Sequence, residues 1–306
     1  MKKRIDLFTD IIEEDARGAD EIGFTPTLLL QATLPHSDPG DVPVYQIKNG
    51  KYTLRIRPDV EVTDEGEYAA TGIPYGGLAR LLIAYIAERV QTTGQRTIDL
   101  GKTQSAFMER LDLGRSGGKY GRIRYLQDQL MRIARAVITF EKRTRQEAEG
   151  GGERVEVEGE NVPLTRKYSF WHFESNAGEE SPIQGGMLRL DADFFEEIKR
   201  SSIPVDFRIL KVLRKSPLAL DLYTWLTYRQ AVRWRMADPE PLVVPWKELH
   251  GQFGANYSRV SDFAANARKQ LETIGELWPE LDYETPRGRL KVMLCPPHVG
   301  SRPRGE

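Results

Sequence analysis

One cysteine, four histidines and no long apolar run set the first limits on this chain of 306 residues. The single thiol, Cys295, excludes an internal disulfide and a thiolate metal cluster. Within "KVMLCPP" it reads as a small buried strand residue. His36, His172, His250 and His298 are scattered and form no H-x-H or H-E-x-x-H unit. A nicking enzyme would need paired histidines beside a tyrosine, and "WHF" around His172 supplies one. No G-x-S-x-G nucleophile turn occurs. The chain is therefore expected to be no enzyme, with no metal and no cofactor. Its apolar stretches are too short to span a bilayer. After "MKKRI" come acids instead of the apolar core of a signal peptide. A cytoplasmic protein without a membrane partner is expected. Net charge is missing too: 44 basic against 45 acidic residues leave −1, so bulk charge does not announce a nucleic-acid partner.

What is present is uneven charge. Between Gly114 and Arg135 stand Arg115, Lys119, Arg122, Arg124, Arg132 and Arg135, against the single acid Asp128. Acids gather near the start (Glu13, Glu14, Asp15, Asp20, Glu21) and from Glu147 to Glu160. Local basic surfaces in a neutral chain suit a DNA binder with confined contacts, and equally a solvated helix face. The turn "GRSGGKYG" fails as a phosphate cradle. Leu113 stands where G-x-x-x-x-G-K-[ST] needs its first glycine, and Tyr120 where it needs a hydroxyl for magnesium. The turn is better read as a hinge before a helix, with Arg115 and Lys119 placed for backbone phosphates.

The same order of elements is expected twice. "IPYGGLARLLIAYIAERV" is a helix, "RTIDL" a strand, Thr103 to Leu111 a helix, and a basic helix follows the turn; "VITFEKR" and "KYSFWHF" are strands. Further on, "DFRILKVLRKSPLALDLYTWLTYRQAV" is helical, with Pro217 breaking it or opening a new helix. "PLVVPW" is a strand and "WKELHGQF" a helix stopped by Gly254. A long helix from about Asn256 to Leu277 and a hairpin turning at "TPRGR" complete the set. Glu147 to Pro163 and Ser175 to Gly186 read as low-order, and Ser201 to Asp206 as a break after a short helix at Asp191 to Arg200. The expected fold is α+β: two tandem winged-helix (winged helix-turn-helix) domains. The boundaries expected are a flexible acidic segment 1–22, a first domain 23–190 with a long wing insertion at about 143–166 and a loop at 175–186, a second domain 191–299, and a tail 300–306.

In the first long helix Ile123, Leu126, Leu130, Ile133 and Val137 form the core stripe. Arg124, Tyr125, Asp128, Arg132 and Arg135 take the open side, with Arg122 on its flank. In the second, Val260, Phe263, Ala267, Leu271 and Ile274 face inward, and Ser258, Ser261, Asp262, Asn266 and Lys269 outward. Tyr257 and Arg259, in the first turn of that helix, join the candidate DNA face. In a major groove Asn266 would pair with adenine, Asp262 accept from cytosine and Arg124 read guanine; ordinary solvation is the competing reading. Arg287 and Arg289 at the hairpin tip, with Lys291 behind, form a candidate wing for phosphate or the minor groove.

The blocks "QATLPHSDPG", "GIPYGGLARLLIAYIAERV", "LGKTQSAFMERLDLGRSGGKYGRIRYLQDQLMRI" and "LDADFFEEIKRSSIPVDFRILKVLRKSPLALDLYTWLTYRQ", then "WKELHGQFGANYSRVSDF" and "PPHV", resemble successive blocks of the plasmid-encoded RepA replication initiators. The resemblance runs from about Gly23 to Val299. It implies a bacterial, cytoplasmic plasmid protein that binds repeated double-stranded origin sequences (iterons), helps open the adjacent A·T-rich DNA and recruits the host initiator and helicase. It also implies a homodimer that represses its own promoter, in equilibrium with a monomer that starts replication. A transcriptional repressor of the same fold without a replication role is the alternative. "RIDLF" resembles the Q-L-x-L-F peptide that docks on the polymerase sliding clamp, with Arg4 in place of the glutamine; Ile5, Leu7 and Phe8 would fill the groove, and a locally packed N-terminus competes with this.

Overall fold

The computed structural model describes residues 11–300 apart from 13, 32, 64, 115–120, 148–152, 172–184 and 255–256, and only the backbone of 31, 145–147 and 153–154. It opens with β1 (Ile22–Pro26) and the one-turn α1 (Leu28–Gln31). Two hairpins follow, β2 (Tyr45–Asn49) with β3 (Tyr52–Arg57), and β4 (Val60–Val62) with β5 (Tyr68–Ala70). A first passage then runs α2 (Gly76–Thr93), β6 (Thr97–Gly101), α3 (Gln104–Arg110), α4 (Arg122–Arg135), β7 (Val137–Glu147), β8 (Glu153–Pro163), β9 (Thr165–Ser169) and β10 (Gly186–Leu190). After α5 (Ala192–Arg200), β11 (Ser202–Asp206) and α6 (Phe207–Leu213) comes a second passage: α7 (Pro217–Met236), β12 (Leu242–Pro245), α8 (Trp246–Phe253), α9 (Val260–Leu277), β13 (Tyr283–Glu284) and β14 (Arg289–Val292).

Each passage closes on a small antiparallel sheet with its strands in the order first, third, second: β6–β10–β9 and β12–β14–β13. The helices start where short polar side chains satisfy their open amides. Thr103 caps α3 by accepting from the Ala106 amide, Asp191 caps α5, Asp206 caps α6 and Ser216 caps α7. Pro217 opens α7 at its first turn, where its missing N–H is no loss. α2 is apolar nearly all round and is buried nearly all round, touching β1, α4, α5, α6 and α7. Gly77 lets its first turn meet the chain between α6 and α7; a β-carbon there would collide with the Arg214 carbonyl oxygen.

The two passages share one continuous hydrophobic core, from Ile11 to Cys295. Between them lies a buried ion pair. Arg80 on α2 donates Nε–H to Asp221 Oδ1 at 2.6 Å and Nη2–H to Asp221 Oδ2 at 2.8 Å, and His36 Nε2 lies 2.8 Å from Asp221 Oδ2. Burial works against the Asp221 carboxylate, but the Arg80 charge and the hydrogen bonds from His36 and Arg80 prevail and hold its pKa below the ordinary value.

Four expectations change. The segment 1–22, expected to be flexible, is anchored at several of its described residues: Ile11 and Ala16 are buried, Lys211 pairs with Glu21 at 3.0 Å, and Arg17 Nε donates to the Gly300 carbonyl at 3.2 Å. Ser201 to Asp206 is a strand, because β11 pairs with β1 from Ile22↔Asp206 to Pro26↔Ser202. Glu147 to Pro163 is mostly strand: β7 and β8 pair from Val137↔Pro163 to Glu147↔Glu153. The alternation of Val155 and Val157 with glutamates is a strand period that acidic composition masks. This hairpin extends β2 and β3 into the sheet β2–β3–β7–β8. The insertion at about 143–166 therefore does not link strands two and three of the small sheet; β9 and β10 are those strands, and the link between them is 170–185.

Candidate nucleic-acid interface

α4 buries Leu126, Leu130 and Ile133, as its spacing requires, while Ile123 is half-buried. Val137 falls outside the helix, at the start of β7. The opposite side divides along its length. Arg122 and Arg124, in the first turn, are exposed. Arg132, a full two turns on, is enclosed. It donates to Asp38 from Nη1 and Nη2, each at 3.1 Å, to Asp128 from Nε at 3.0 Å and to the Ile73 carbonyl from Nη1 at 3.1 Å. Its guanidinium also lies 5.1 Å from the centre of the Tyr75 ring. Arg135 pairs with Glu61 and donates to the Tyr168 hydroxyl at 2.6 Å. Tyr125 packs on Tyr75 at 6.0 Å, and burial pushes its phenol up to about 12. Arg132, Arg135 and Tyr125 therefore do not stand on an open face. A helical wheel cannot report that Asp38, Glu61 and Tyr75, from earlier segments, cover it. Arg115 and Lys119 lie outside the described residues, as do Ile5, Leu7 and Phe8.

α9 keeps its polar side clear. Phe263, Ala267, Leu271 and Ile274 are buried and Val260 half-buried, while Ser258, Arg259, Ser261, Asp262, Asn266 and Lys269 are exposed. Asn266 Oδ1 accepts from Gln270 at 3.0 Å. Tyr257 stands at the edge, its ring at right angles to Phe263 and its backbone carbonyl 2.8 Å from His250 Nε2. Burial raises the Tyr257 phenol pKa, and a side-chain hydrogen bond with Asn266 opposes the rise. The helix thus presents a carboxylate, an amide and cations on one face, a set able to meet base edges and phosphates.

Each small sheet adds cations. At the tip between β13 and β14, Gly288 adopts φ +82° and its carbonyl accepts from the Trp246 amide at 3.0 Å, anchoring the turn. Arg287 and Arg289 beside it are exposed, whereas Lys291 is committed to Glu284 at 3.2 Å across the strands. In the first sheet the place of that opposite-charge pair is taken by two cations. Lys167 and Arg189 are direct partners across β9 and β10, and both are exposed. Like charges facing each other are unfavourable by themselves and become favourable beside an anion. Sequence reading missed both, because only strand register brings them together. Among the described residues no group of three or more His, Cys, Asp or Glu is placed to hold a metal, and no helix is long and apolar enough to cross a membrane.

A family model described as plasmid encoded RepA protein matches residues 73–247, from just before α2 into α8. Comparison with curated proteins gives no match. Among solved structures, domains 2 and 3 of RctB align with a TM-score of 0.53 at 16% identity, covering 89% of this chain and 98% of that one. A second crystal structure of domains 2–3 of RctB gives a TM-score of 0.45 at 13% identity, covering 88% and 96%. At such identity the first likeness is one of fold.

Proposed function

The chain belongs to the family of plasmid-encoded RepA proteins, and from that premise we propose that it is a replication initiator that binds repeated origin DNA sequence-specifically, without catalysing a reaction. The observation that carries this reading is the repeated arrangement of a helix, a strand, two further helices and a first–third–second sheet, each copy leaving cationic or polar side chains open. We read this order as that of a winged helix, in which the third helix enters the major groove and the strand pair meets the backbone. In this reading α4 and α9 are the groove helices. Arg122 and Arg124 serve the first, and Ser258, Arg259, Ser261, Asp262, Asn266 and Lys269 the second. Lys167 with Arg189, and Arg287 with Arg289, hold phosphates. Two units, about 23–190 and 191–299, read adjoining parts of one repeat. Opening of A·T-rich DNA, recruitment of host replication proteins, a monomer–dimer equilibrium, promoter autorepression and a bacterial cytoplasmic location follow from the family reading.

Footprinting of the purified protein on DNA flanking its own gene tests this. Regularly spaced protection over direct repeats beside an A·T-rich tract is expected. Protection of a single inverted repeat at the promoter, with no replication restored by supplying the protein in trans, would replace the initiator by a repressor.

A further inference from the structure

We propose that the cleft between the β2–β3–β7–β8 sheet and α5 is a docking site for a short basic and apolar peptide segment of a partner protein. The cleft has a volume of about 410 Å³, at the lower end of the range of ligand-binding clefts. Its sheet wall is apolar. Tyr52 and Phe140 stack at 5.3 Å with their planes 24° apart, and Ile138 and Val162 continue the wall. α5 forms the other wall because its apolar stripe, Phe194, Phe195 and Ile198, is turned into the fold. The remaining faces of α5 bring Asp193, Glu196 and Glu197 to the cleft, and Glu160 joins them from β8, directly opposite Phe140.

Four carboxylates thus line the cleft against one guanidinium, that of Arg200, which is already paired with Glu197. Among the described residues Asp193 and Glu196 have no ion-pair partner, and Glu160 shares the field of the Arg200 guanidinium with Glu197. This charge excludes nucleic acid, whose phosphates would be repelled, and selects a cation. The aromatic faces favour the same ligand: a lysine or arginine over a ring is attracted by its negative face, and Lys51 already lies 5.5 Å from the Tyr52 ring centre. The stems of such side chains, and neighbouring leucine or isoleucine, match the apolar wall. A peptide alternating cations and aliphatics satisfies rim and floor at once, and β8, at the edge of its sheet, runs alongside to receive it.

The inference does not rest on the DNA reading and is tested without DNA. The full-length protein is screened against a random heptapeptide library, and the selected peptides are labelled and titrated by fluorescence anisotropy. Enrichment of Lys or Arg beside Leu, Ile or Phe is expected. Reversal of two exposed charges together, Glu160→Lys and Glu196→Lys, should weaken binding by at least about tenfold with an unchanged circular-dichroism spectrum and melting curve. Thr27→Trp, which narrows the cleft without altering its charge, should weaken binding as well. Selection of peptides without this basic and apolar pattern, or affinity that survives the charge reversal, would overturn the proposal.

Discussion

Arg124 and Arg132 project from the same helix two turns apart, and their surroundings give them opposite duties. Arg124 is exposed in the first turn of α4; Arg132 is spent on Asp38, Asp128, the Ile73 carbonyl and the Tyr75 ring. Arg124→Ala is expected to leave stability unchanged and to flatten the dependence of log affinity on log salt by about 1, read from anisotropy titrations at several salt concentrations. Arg132→Ala is expected to cost about 1–2 kcal/mol of stability in urea unfolding, since its two carboxylate partners remain solvated. Lys167 makes a sharper case, because its two effects have opposite signs. Lys167→Glu should stabilise the free protein by about 0.2–1 kcal/mol by pairing with Arg189, while weakening DNA binding; parallel unfolding and binding curves check both. Asn266→Ala should cost about 1–3 kcal/mol on the cognate repeat and little on random DNA. The cationic face of α4 was legible as a pattern of arginines. Its cover was not, because Asp38 lies 94 residues from Arg132 and no local spacing connects them.

At the level of elements, the legible parts were those with strong periods and capping residues. The buried stripe of α9, the interruption of the helical run at Pro217 and the Gly254 stop of α8 were open to reading. β8 and β11 were hidden, because acidic and proline-containing strands lack the usual composition and are held by partners far along the chain. Pairing at a distance also governs how α2 and α7 are joined. The Asp221 carboxylate is ionised below the ordinary carboxylate range, so its stabilisation is complete above that range and is lost as pH falls through the lowered folded value. Asp221→Asn leaves the Arg80 charge buried without its partner and should cost about 3–5 kcal/mol. Replacing the pair together, Arg80→Met with Asp221→Leu, should recover much of that loss. His298 adds a second acid-sensitive contact. Burial holds its pKa below the ordinary 6.5, with its Nδ1 3.1 Å from the Tyr223 hydroxyl. The unfolded chain takes up a proton near that pH before the folded chain does, so stability should fall with decreasing pH through this window. His298→Phe should remove that part of the slope in a series of melts.

Over the whole molecule, two similar passages read as two domains in sequence, yet in space they share one core, bridged by β1–β11 and by Arg80 with Asp221. Repetition of order is visible in a sequence; the contact that joins the copies is not, since it uses residues that belong to neither pattern. The joint has a consequence for DNA. Two binding units on a flexible linker would tolerate a change in the distance between their half-sites, losing only what effective concentration accounts for. Two units fixed by a common core cannot follow the DNA when the half-sites are rotated apart. Inserting about 5 base pairs, half a helical turn, into the middle of the cognate repeat should therefore reduce affinity to the non-specific level. In Asp221→Asn, where the joint is weakened, part of the lost affinity should return. Full binding to the lengthened repeat by the unaltered protein would mean that one of the two units does not touch DNA at all. Footprints of Arg124→Ala and Asn266→Ala on the natural repeat would then identify which helix reads it: one substitution removes the protection and the other leaves it intact.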